Sequence, residues 1–163
     1  MTFDNLKLGA LIGLLLSFAI LVSNVVMPAF VGHPTADTEF SESIGWIIVI
    51  AIMCWVGFLK VRRSSRIIDS VTAGAVTSFV AFAMAMLTFL VIDSLFLSIV
   101  SQQPEKIWLF EHSRFPDMQT YLVHTNLRAF WTALPVITLF GALCGLVGGT
   151  VSLLAQRRAS GHG

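Results

Sequence analysis

The sequence predicts an all-α integral membrane protein: a four-helix transmembrane bundle running up-down-up-down, as one domain over residues 1–163. Three observations predict it. Charged residues make up 12% of the chain and apolar residues 56%, so charge stands at about half the share of an ordinary soluble domain. Mean hydropathy is +0.84, and a chain of 163 residues leaves too much surface in water to hide that much apolar material. The apolar residues also come in four long blocks rather than in alternating or 3.6-residue stripes, as segments solvated by lipid do.

The first block, 8–30, carries no charge, and about 20 apolar residues suffice to cross a bilayer. Lys7 is the only cation before it and no A-x-A-like site follows, so it reads as a retained helix rather than a signal peptide. The second block, 43–60, is shorter; Ser41 or Ser43 can cap its start and Lys60 can snorkel at its end. The third, 67–100, exceeds what a bilayer needs and must tilt, protrude or break near one end. The fourth, 131–155, is again uncharged, and Pro135 one turn inside it is expected to kink it.

Orientation follows from the flanking cations. Lys7, Lys60, Arg62, Arg63, Arg66, Arg157 and Arg158 fall on one side, seven of the ten lysines and arginines, against Lys106, Arg114 and Arg128 on the other. The positive-inside bias places the seven, and both termini, in the cytoplasm of a cell (inner) membrane. Trp46 and Trp131 sit where the second and fourth spans leave the outer interface, as aromatic belts require.

Two outer loops result, 31–42 and 101–130. The second is expected to form a short helical, amphipathic cap. Pro104 after Ser101 marks one helix start, and Phe115-Pro116-Asp117 marks another that can run straight into the fourth span. On that helix Met118, Tyr121, Leu122 and Ala129 fall near one face, with His124 and Arg128 on another.

The most specific pattern is Gly141-x-x-x-Gly145-x-x-x-Gly149, a glycine-zipper spacing that lets another backbone approach closely. Gly9, Gly13 and Ser17 repeat the theme on the first span, and Ala73, Thr77, Ala81 and Ala85 on the third. These faces can pack the chain's own bundle or meet a partner, and packing within the bundle is the simpler use, because three of the four helices carry such a face.

Asp93 is the one carboxylate embedded in an apolar stretch. An intramembrane acid is a candidate ion or proton site. Its depth argues otherwise: about 34 Å along the helix from Ser70, it falls near the outer headgroups. His33, His112 and His124 share the outer side, but no two have a local ligand spacing, so no metal site is expected. No cofactor is expected either. Cys54 and Cys144 form no C-x-x-C pair and read as small hydrophobes.

The chain carries no Gly-x-Ser-x-Gly and no P-loop. Its size and four spans resemble the lipoprotein signal peptidases, whose mechanism uses two membrane-embedded aspartates; only Asp93 is present here, and no residue carries over. The reading is therefore non-catalytic, not an enzyme: an accessory or scaffolding subunit in membrane lipid, beside another membrane protein or a second copy of itself, with no nucleic acid partner. The alternative is a small dimeric transporter or channel component that takes up cations or protons through Asp93 and the outer acids.

Overall fold

The computed structural model describes residues 3–22, 38–95, 97–100 and 104–160, and among these every regular element is helical. In chain order they are α1 (Phe3–Leu21), α2 (Thr38–Ser64), α3 (Ile67–Leu95), α4 (Leu97–Val100), α5 (Pro104–Glu111) and α6 (Met118–Ser160). Two of them, α3 and α6, are long and apolar enough to cross a membrane, and only 22% and 33% of their most apolar windows are buried inside the chain.

α3 is the hub. It packs most extensively against α6 and also carries α1 and α2, while α2 lies along α6 as well; α1 rests almost wholly on α3 and barely touches α2. The glycine contacts fix the directions. Gly9 lies against Ala73 and Gly13 against Thr77, so α1 runs parallel to α3. Gly141 faces Ser78 and Gly149 faces Ser70, so α6 runs antiparallel to α3; Gly57 meets Gly145 and Val61 meets Gly149, so α2 runs parallel to α6.

Several boundaries differ from the blocks. α2 begins at Thr38 rather than near Ser43 and ends at Ser64, because a polar segment can continue a helix that an apolar count cannot see. The third block is described as α3 up to Leu95 and α4 from Leu97 to Val100, and Phe96 between them lies outside the described residues. α6 absorbs both the second cap helix and the fourth block in one run of 43 residues, about 65 Å long. Asp117 starts it, its Oδ1 accepting from the Thr120 N–H at 2.8 Å and its Oδ2 from the Thr120 hydroxyl at 2.8 Å. That satisfies a donor left open in the first helical turn. Pro135 lies within the helix and withholds the N–H that would reach the preceding turn. Residues 23–30 of the first block, with Asn24 and Pro28, and residues 31–37 of the first outer loop, with His33, lie outside the described residues.

The α2–α3 connection is short. Ser65 adopts a left-handed φ of 55°, and its N–H bonds the Val61 carbonyl at 2.8 Å. The Ser64 hydroxyl donates to the Lys60 carbonyl at 3.1 Å and accepts from the Arg66 N–H at 3.3 Å. A polar side chain thus closes the helix end that the backbone leaves open.

Candidate functional site

Two features hold the chemistry and the closest packing: a carboxylate at one end of the bundle and a groove of small residues along α6.

Asp93 lies half a turn before α3 ends and is 7% exposed. Lys106, on the first turn of α5, places Nζ 3.3 Å from Asp93 Oδ1. Asn126 on α6 donates from Nδ2 to Asp93 Oδ2 at 2.7 Å. Each carboxylate oxygen thus has a donor, one of them charged. The three residues join α3, α5 and α6 at one point. Burying a carboxylate is costly unless it is paired and hydrogen-bonded, and this one is both.

The sequence marks Asp93 but not its partners. Lys106 and Asn126 are 13 and 33 residues away along the chain, beyond any local pattern. A partial signal exists for Asn126, which follows the buried Leu122 by four positions and precedes the half-buried Phe130 by four, on the inward stripe of α6.

The loop beside this cluster is held by rings. Phe115 packs edge-on to Tyr121 with centroids 5.8 Å apart and against His124 at 4.9 Å, and Phe110 meets Tyr121 at 5.9 Å. The His112 ring stacks on Trp108 at 4.3 Å, and its Nδ1 lies 2.8 Å from the Trp108 carbonyl. His112 and His124 therefore engage different partners. Among the described residues no group of three or more His, Cys, Asp or Glu is placed to hold a metal ion.

The glycine face of α6 turns toward α3 and α2. A Cβ on Gly141 would strike the Ser78 side chain and lie 2.6 Å from the Gly74 carbonyl; one on Gly145 would strike the Ser70 carbonyl; one on Gly149 would strike the Ser70 hydroxyl and lie 3.0 Å from Val61 Cγ2. Gly148 meets the Cys54 carbonyl on α2. On α1, a Cβ on Gly13 would lie 2.7 Å from the Thr77 carbonyl and one on Gly9 3.1 Å from that of Ala73. Every glycine on these faces is thus covered by this chain's own helices.

The hydroxyls between the helices are mostly satisfied at home. Thr77 donates to the Ala73 carbonyl at 2.8 Å, Ser78 to that of Gly74 at 3.0 Å and Ser70 to that of Ile67 at 2.7 Å. Ser152 is the exception among the described residues: it is fully buried, and its hydroxyl has no hydrogen-bond partner. Cys54 on α2 is half-buried and Cys144 on α6 is buried. Both are free, and a thiol enclosed among apolar side chains is inert packing material.

No protein-family model matches this chain, and no curated protein or solved structure is significantly similar to it. The class that fold and site define is a helical protein with two helices of membrane-crossing length and apolarity.

Proposed function

We propose that the chain spans the cell (inner) membrane four times, with both termini in the cytoplasm, and serves as a non-catalytic accessory or scaffolding subunit of a larger membrane complex. The observation that carries this is the chain's outward surface. Large apolar side chains stand exposed on all four long helices, among them Phe18 at 65% and Ile47 at 65%, with Leu87, Val91, Leu139 and Leu143 each about half exposed or more. A water-soluble helical protein of this size would bury them. Lipid and apolar partner helices do not require it.

Further support comes from the polar groups. Most of the buried polar side chains with assigned bonds are satisfied within their own helix, and the embedded carboxylate is already occupied by Lys106 and Asn126. A conducting path needs polar groups free to replace an ion's hydration shell. The small-residue faces are consumed inside the bundle, which leaves the large apolar faces of α1, α2 and α6 for lipid or a partner.

The test is purification in mild detergent from cells expressing the chain at low level. A larger membrane protein at fixed stoichiometry is the expected result. A lone homodimer would sink the accessory role and favour the transporter reading, for which the buried Asp93 carboxylate is the motivating feature. Ion flux into liposomes that Asp93→Asn abolishes would then establish that second reading.

A further inference from the structure

We propose that the basic end of the bundle is a docking site for an anionic phospholipid, seated where the α2–α3 turn meets the overhanging end of α6. The inference rests on the membrane reading above and adds to it a ligand class.

The fold gathers the cations. With only Ser65 and Arg66 between α2 and α3, and Ser65 in the left-handed region, the chain reverses tightly and holds Arg62, Arg63 and Arg66 on one short turn. Contact of Gly149 with Val61 and Ser70 sets α6 beside that turn, and α6 continues to Ser160, about 16 Å further on. That overhang carries Arg157 and Arg158. All five arginines are exposed, and Arg62 stands over the Phe58 ring at 5.8 Å. Among the described side chains at this end, Asp69 is the single acid.

Charge alone would suit any polyanion. What selects a lipid is the apolar surface directly beside the arginines: Ile68 is 62% exposed, Val151 52% and Leu154 58%. Ile68 begins α3 immediately after the basic turn, and Leu154 lies one turn before Arg158. A phospholipid presents both matching parts in one molecule, a phosphodiester for guanidinium forks and an acyl chain for the adjoining apolar strip. Basic pockets between spans at the cytoplasmic face are known to take anionic headgroups. At the opposite end the described cations stand among acids: Lys106 pairs with Asp93, and Arg114 and Arg128 share their end with the exposed Glu111 and Asp117.

The test is native mass spectrometry of the detergent-purified full chain, doped with equimolar phosphatidylglycerol and phosphatidylcholine of the same acyl composition. The expected result is retention of phosphatidylglycerol over phosphatidylcholine by roughly five-fold or more, reduced by raised salt. Replacing Arg62, Arg63 and Arg66 together by Gln is expected to bring the ratio near one, while Arg114→Gln with Arg128→Gln leaves it unchanged. Should the triple variant aggregate, the salt dependence of the wild type decides instead. Equal retention of the two lipids by the wild type, or a preference lost equally with the distal pair, overturns the proposal. Those results leave the membrane reading standing, whereas a chain that is monodisperse without detergent and retains neither lipid would remove the membrane reading itself.

Discussion

Asn126 of α6 donates a 2.7 Å hydrogen bond to Oδ2 of Asp93 at the end of α3, while Lys106 of α5 holds the other oxygen at 3.3 Å. One carboxylate therefore fastens the cap helix and the longest helix to the hub. Asp93→Ala is expected to destabilise the chain by about 2–3 kcal/mol, since it leaves an ammonium and an amide without their acceptor. Asn126→Ala should cost less, and the double variant less than the sum of the two. Thermal unfolding in a fixed detergent checks this; additive losses would contradict a shared network.

The groove along α6 predicts a graded cost for adding one methyl group. Gly145→Ala drives a Cβ into the Ser70 carbonyl, which is backbone and cannot swing aside, whereas Gly9→Ala meets its nearest atom at 3.1 Å. The first should cost about 2 kcal/mol or more and the second under about 1 kcal/mol. Equal unfolding midpoints for the two variants would show that α3 and α6 do not approach as described.

How much of this was legible in the sequence depends on the range of the interaction. The glycines of α6 announce themselves because i, i+4 spacing is local, but nothing local says that Gly141 meets Ser78 or that Gly148 meets Cys54. Asp93 stands out against its apolar neighbours, yet its partners come from a different helix and a cap. Apolar counting marks where a helix is greasy, so it missed the polar start of α2 at Thr38 and split α6 near Trp131. The Asp117 start signal corrected the second of these in advance, because capping chemistry is encoded within three residues.

Ser152 is predicted to be better as alanine. Its hydroxyl is fully buried and has no partner, so removing it should stabilise the chain by about 1 kcal/mol. A raised unfolding midpoint for Ser152→Ala is the expected result, and a lowered one would mean that the hydroxyl is bonded after all.

Asp117 gives a pH dependence. Its hydrogen bonds from Thr120, backbone first and then side chain, hold its carboxyl below the ordinary value of 3.8. A depressed carboxylate contributes stability that is present above its unfolded value and is lost as pH falls through the lower folded one. The first turn of α6 should therefore stay capped to below pH 3.8 and fray beneath that. The Thr120 amide resonance, followed by NMR through acid titration, should report a midpoint under 3.8 in the wild type and no such step in Asp117→Asn. A midpoint at or above the ordinary value would contradict the cap.

The proposed topology puts lipid around four membrane-crossing helices of alternating direction, with both ends of the chain on one side. Its most direct test uses single accessible reporters at the N-terminus, at the C-terminus and in the 112–117 segment between α5 and α6, labelled in sealed inside-out vesicles with a reagent that cannot cross the bilayer. The two termini are expected to label together, and the 112–117 reporter is expected to stay unlabelled. Termini that label from opposite sides, or a 112–117 reporter that labels with them, would contradict it.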